Sequence, residues 1–196
     1  LTLYKMKRKL FIFGSNSFIS KKFVEEYKYK YDLFCISRKT NYLDNELIFD
    51  LGVEHTKNSL ESINNSINLK TIEQSKVFLL FSWAGGPRTK KEKAEDTWLK
   101  NMLIIKNFIE ICIYNKPNKV IFISTAGAIY EQTGEKVSKE TDIPIPSSPY
   151  GHQKLIAENL LKIFAKALQI KVAILRISTA YGFDERYSDQ GVINKW

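Results

Sequence analysis

The chain reads as an α/β protein built on a parallel sheet, and three features of the sequence predict it. Apolar runs of strand length recur along the 196 residues. They are continuous rather than alternating, as strands covered on both faces require. Helix-like stretches separate them, so each connection is a crossover, and such crossovers are right-handed.

The elements follow in order. "KLFIF" (9–13) is the first strand. The basic stretch before it has the outline of a signal peptide, but the apolar run is too short and no small-residue cleavage site follows. Residues 1–8 are therefore expected to be an N-terminal extension, with Met6 a candidate native start. After "GSNSFIS" (14–20) comes a helix-like "KKFVEEY", then a second strand, "DLFCI" (32–36). "LIFDL" (47–51) reads as a short strand, and "HTKNSLESINNSINLKTIEQ" (55–74) as a polar helix. "KVFLLF" (76–81), "KVIFI" (119–123) and "KVAILRI" (171–177) are further strands. The clearest helices are 94–115 and 150–170; in the latter, Leu155, Leu160, Leu161, Phe164 and Leu168 recur at three-to-four spacing. Pro149 marks its start. Without internal repeats or a linker, one substantial domain is expected.

Composition narrows the function classes. A hydrophobic fraction of 44% supports a packed core, yet no apolar run reaches the ~20 residues that cross a bilayer. Cys35 and Cys112 both sit in apolar patterns and are expected as buried free thiols of a reducing compartment. With only two histidines, no metal site is expected. The net charge of +9 is spread from end to end without an aromatic-basic module, so it indicates a solvated basic surface rather than a nucleic-acid partner. A positive field also suits an anionic small substrate.

The turn after the first strand is the first candidate site. Gly14 ends the strand, and the helix that follows offers free N–H groups to a phosphate. A dinucleotide fingerprint carries three glycines; here Ser17 and Ser20 occupy the later places. A plain strand-to-helix turn has the same outline. The second strand ends in Arg38 and Lys39, where a carboxylate would bind ribose hydroxyls. These cations suit a 2′-phosphate, hence NADP over NAD; a solvated basic loop is the alternative. Asp50 offers a carboxylate to an adenine amino group.

"YGHQK" places Tyr150 and Lys154 at i and i+4, on one helix face. An ammonium beside a phenol favours the phenolate and so is expected to lower the tyrosine pKa. Such a tyrosine exchanges a proton with a hydroxyl while a nicotinamide exchanges hydride. Ser124 and Thr125 end a buried strand where a parallel sheet opens its ligand crevice, and their hydroxyls are candidates to meet the Tyr150 face. A Ser-Thr turn is the plainer alternative.

These segments together resemble the extended short-chain dehydrogenase/reductase family, in its sugar-nucleotide epimerase/dehydratase branch. The stretch "FISTAGAIYEQTGEKVSKETDIPIPSSPYGHQKLIAENLL" (122–161) is similar to the family signature almost throughout, and "RISTAYG" (176–182) with "QGVI" (190–193) to its next landmark. "FSWAGG" (81–86) sits where the family has its turn after the fourth strand. The resemblance implies a Rossmann doubly wound sheet, helices on both faces, over 9–182. It implies NAD or NADP held by Gly14, Ser17, Phe18, Ile19, Arg38, Asp50, Leu51, Ser82, Ala84, Asn101, Tyr150 and Lys154. Tyr150 and Lys154 are the implied catalytic pair, with Thr125 or Ser124 as hydroxyl, and Thr179 as a substrate-binding residue.

Three positions depart from the pattern. The catalytic hydroxyl position reads Ala126, the Asp-Glu pair of dehydratases reads Gly127-Ala128, and the substrate asparagine reads Thr179. Dehydration is thus disfavoured, and a nucleotide-sugar 4-epimerase or reductase is expected. A non-catalytic NAD(P)-binding sensor or scaffold is the alternative. The family usually continues past "GVI", so residues 183–196 are expected to begin a substrate domain that is largely missing. Surface-polysaccharide sugar supply, a cytoplasmic location, and a homodimer through helices 94–115 and 150–170 complete what the resemblance implies, with no nucleic-acid or membrane partner.

Overall fold

The computed structural model describes residues 8–40, 45–69, 76–86, 94–130, 137–178 and 180. Its elements run β1 (Lys9–Phe13), α1 (Phe18–Tyr27), β2 (Asp32–Ser37), β3 (Glu46–Ile48), α2 (Lys57–Leu69), β4 (Val77–Leu80), α3 (Ala94–Asn115), β5 (Lys119–Thr125), α4 (Pro149–Ala167) and β6 (Lys171–Ile177). The six strands form one sheet in the order β3-β2-β1-β4-β5-β6, and every described pairing is parallel. This is the doubly wound Rossmann order expected, with its reversal between β1 and β4.

The continuous apolar runs are explained by burial on both sides. Successive residues of β1 alternate between two cores. Phe11 and Phe13 join α2, α3 and α4 on one face, and Leu10 and Ile12 join α1 on the other. Aromatic rings dominate the first core: Phe13 meets Phe108 edge-on at 5.0 Å and Phe78 at 5.2 Å. At the β6 edge the cover thins, and Leu175 is 47% exposed. Cys35 and Cys112 are buried free thiols, one in each core.

Some boundaries differ from the sequence reading. The strand expected over 47–51 is only Glu46–Ile48, because Asp50 accepts from Gly52 N at 2.8 Å and turns the chain. Helix α4 starts at Pro149 behind the N-cap Ser148 and ends at Ala167. Among the described residues no helix is long and apolar enough to cross a membrane, and no group of three or more His, Cys, Asp or Glu is placed to hold a metal ion.

Candidate functional site

The C-terminal ends of β1 and β4 meet at the topological reversal, where an open parallel sheet forms its crevice. Phe81 N and Ser82 N both donate to Phe13 O, at 2.8 and 2.9 Å, so the chain after β4 is laced to the end of β1. This crossing requires a glycine at position 14. Its φ is +88°, and a Cβ there would lie 2.4 Å from Ser82 N. Side chains are excluded on both grounds.

The two serines that replace glycines are fitted to the turn. Ser17 is the N-cap of α1, and its hydroxyl accepts from Ser20 N. Ser20 is fully buried, and its hydroxyl donates to Gly14 O at 2.8 Å. Close helix–strand packing is therefore kept, with the serine hydroxyl satisfied by the turn itself. Phe18 and Ile19 form the first turn of α1 directly behind. Asn16 donates to Lys39 O at 3.1 Å, tying the 38–40 segment to this turn, and Arg38 and Lys39 are exposed there. Leu51 is buried, and its carbonyl accepts from Asn107 of α3 at 2.9 Å.

Asn101 is wholly buried and fixes the turn after β4. It accepts from Ala84 N at 2.8 Å, and its amide donates to Ala84 O and to Gln153 Oε1 of α4. One side chain thus joins the 82–86 turn, α3 and α4.

On α4, Ser148 accepts from Gly151 N at 3.1 Å, and Pro149 is pre-set for the first turn. Gly151 is required because a Cβ would lie 2.0 Å from Ala128 O. The tight seat sets the first turn of α4, which carries Tyr150, on the loop after β5. Lys154, one turn on, is 4% exposed, and its Nζ donates to Ile123 O at 2.8 Å. The ammonium also lies 4.1 Å from the Trp83 ring centroid, 4.7 Å from Phe122 and 5.9 Å from Tyr150. Burial pushes Lys154 down to about 7, with the Glu158 carboxylate pulling the other way. Burial also raises the Tyr150 phenol above its ordinary value. This corrects the expectation of a lowered phenol: desolvation outweighs an ammonium 5.9 Å from the ring whose hydrogen bond goes to Ile123 O.

The hydroxyl candidates separate. Ser124 is on the α4 side of β5, and its Oγ donates to Glu158 Oε1 at 2.6 Å. Thr125, by strand alternation, shares the opposite face with Ile121 and Ile123. Ala126 follows, its N–H donating to Ile177 O at 2.9 Å. Glu158 is fully buried and also takes Arg176 of β6, with Nη2 at 2.7 Å, while Arg176 also donates to the Tyr130 hydroxyl. Thr179 lies outside the described residues.

Comparison with known proteins settles the family. A family model described as the NAD dependent epimerase/dehydratase family matches residues 10–196. The chain belongs to that family. The dTDP-4-dehydro-6-deoxyglucose reductase of Escherichia coli is 33% identical over 108 residues, 55% of this chain and 34% of the reductase. Among solved structures, the UDP-N-acetylglucosamine 4-epimerase of Bacillus cereus superposes with a TM-score of 0.75 at 22% identity, covering 96% of this chain and 65% of that one. The UDP-glucose 4-epimerase of Thermus thermophilus, in complex with NAD, gives 0.70 at 22% identity, covering 86% and 54%. The chain therefore spans about a third of the length of this relative from E. coli.

For a member of the epimerase/dehydratase family, sequence reasoning missed Trp83, Gln153, Arg176, Tyr130 and Asn16. Only Arg176 carried a local signal, as a lone cation inside the apolar strand "KVAILRI". The others acquire roles through contacts between distant segments.

Proposed function

We propose that this chain carries the cofactor-binding and proton-transfer part of an NAD(P)-dependent enzyme acting on a nucleotide sugar, an epimerase or a reductase. The observation that carries the reading is Lys154, a buried ammonium held on β5 one helical turn from Tyr150. The turn at Gly14 fits a dinucleotide, since only a glycine passes Ser82 there and Ser20 keeps the helix close to the strand. When bound, the dinucleotide supplies a hydride acceptor or donor for the sugar carbon. Tyr150 takes the hydroxyl proton as that carbon is oxidised to a ketone, and returns it on reduction. Lys154 supplies the positive charge that favours the phenolate against burial. An epimerase would use Tyr150 in both directions, and a reductase in one.

The family, the reductase from E. coli and the 4-epimerase structures support this class. Gly127 and Ala128 bring no carboxylate, so elimination of water lacks its acid and base. Exposed Arg38 and Lys39 favour NADP through its 2′-phosphate. We assign the whole protein to surface-polysaccharide sugar supply in the cytoplasm, as a homodimer through α3 and α4. Trp98, Leu99 and Ile113 on α3 and Ile156 and Ile163 on α4 are exposed and suit such a contact. A second reading, a non-catalytic NAD(P)-binding module, is favoured by Ala126 and by the engagement of Ser124 with Glu158.

Titration with NADH and NADPH, followed by fluorescence, tests both, with UDP-glucose and UDP-N-acetylglucosamine as turnover substrates. Wild type should bind a cofactor, and Tyr150→Phe should bind equally but lose turnover. Binding without turnover in the full-length protein would select the second reading, and a folded chain that binds neither cofactor would defeat both.

A further inference from the structure

Trp83 is the least explained large residue near the site. Its backbone is fixed on both sides, by Ser82 N donating to Phe13 O and by the two bonds between Ala84 and Asn101. Its Nε1 is buried and has no hydrogen-bond partner among the described residues, so packing orients the indole. What the indole meets is the Lys154 ammonium, 4.1 Å from the ring centroid, with the Phe122 ring 5.8 Å away on the same ammonium. An apolar residue without a π face would pack there without leaving an N–H unpaired. A tryptophan that leaves its N–H unpaired and turns its face to a buried cation is performing an electrostatic task.

We propose that Trp83 is a positioning residue that holds the Lys154 ammonium charged and in place on the Ile123 carbonyl, so that a positive charge stands beside Tyr150. This rests on the reading of Tyr150 as the proton-transfer residue, but the charge of Lys154 is observable without turnover. Among the described residues, the other groups near Lys154 are few. Tyr150 and Glu158 flank it on α4, the Ile123 carbonyl and Ser124 on β5, and Arg176 of β6 reaches it only through Glu158. From α3, Asn101 approaches α4 through neutral Gln153, and Tyr130 bonds Arg176. Lys162 touches Glu158 from the surface at 3.9 Å. The ring faces act in the same sense as Glu158, favouring the charged amine against burial.

The test is a pH titration of the full chain labelled with [13C]lysine, Lys154 being assigned as the resonance absent from Lys154→Met. In wild type its Cε protons should lie upfield of the other lysines, shifted by the indole face. Trp83→Leu should lower the titration midpoint of Lys154 by about one pH unit, the size of a desolvated cation–π contact. Trp83→Phe should restore most of that shift. A midpoint unmoved in Trp83→Leu, or equally lowered in both variants, overturns the proposal. An ordinary lysine shift in wild type also overturns it, whether or not the leucine variant folds. Turnover tests the enzyme reading separately: a moved midpoint in a chain without turnover keeps Trp83 in its role while removing the enzyme.

Discussion

Gly151→Ala isolates the contact that seats Tyr150. In an ordinary helix interior the change would stabilise by about 1 kcal/mol. Here the new methyl would lie 2.0 Å from Ala128 O and 3.0 Å from both Ala128 C and Pro146 Cβ. Reaching even 3.0 Å from the oxygen requires a retreat of about 1 Å. The carbonyl cannot easily give way. Ile129 N and Tyr130 N both donate to Ala126 O, and Ala126 N donates to Ile177 O, so the 126–130 loop is fastened to β6. Helix α4 must move instead, against a core that includes Ala157 and Leu161. With the methyl only 2.0 Å from a fastened backbone oxygen the overpacking cost lies at the upper end, about 2–3 kcal/mol, so the net loss is about 1–2 kcal/mol after the propensity gain. In urea the midpoint should fall with m unchanged. Thermal unfolding should drop by about 2–8 °C for a chain of this size. Because the retreat displaces Tyr150 itself, any turnover should fall more than cofactor binding. Gly86→Ala is the control: no described residue lies within 4 Å of its added Cβ, and its stability should stay within about 0.5 kcal/mol of wild type. A Gly151→Ala protein as stable as wild type would refute the claim that this contact sets the seat of α4.

Three other perturbations read separate parts of the structure. Lys154 has a folded pKa of about 7 against an ordinary 10.5, so the unfolded chain binds more protons between those values and stability rises with pH across that window. Between pH 7 and pH 10.5 wild type should therefore gain roughly 2–4 kcal/mol relative to Lys154→Met, which lacks the titrating amine; urea melts at both pH values would show it. Asn101→Ala removes the bonds to Ala84 and leaves Gln153 Oε1 without its donor, and should cost about 2–4 kcal/mol in the same assay. Burial pushes Cys35 up to about 11 and raises Cys112 further, so a thiol reagent at pH 8 should label neither in the folded chain and both in urea.

The sheet was legible because its strands are covered on both faces and so leave unbroken apolar runs. Where cover is one-sided or absent, the reading slipped: β3 is an edge strand of three residues, and Asp50 turns the chain two residues later. Tyr150 and Lys154 stood out as candidates because a helix start, a preceding Pro-rich run and a strand ending in hydroxyls stand together in sequence. The direction of the Tyr150 shift was not found, because desolvation depends on what the whole fold stacks over the helix face. Asn101 meets Gln153 across 52 positions, and Ser124 meets Glu158 across 34. No local pattern encodes such pairs. Gly14 and Gly151 were visible as glycines, but the atoms that require them, Ser82 N and Ala128 O, belong to other segments.

The charges on α4 are spaced to act on one another. Lys154 and Glu158 are a helical turn apart and both buried, and Arg176 meets Glu158 from β6. A lone buried ammonium would be discharged by desolvation, and a lone buried carboxylate would be protonated. Glu158 is bound by Arg176 Nε and Nη2 and by Ser124, and its carboxylate raises the pKa of Lys154. Replacing such a cluster with apolar residues often costs no stability. The same logic gives Ser124 a supporting place: its hydroxyl serves the carboxylate, which serves the lysine. If the chain carries out proton transfer, then, with Ala126 at the usual hydroxyl position, the sugar's proton must be handled by Tyr150 without help from Ser124.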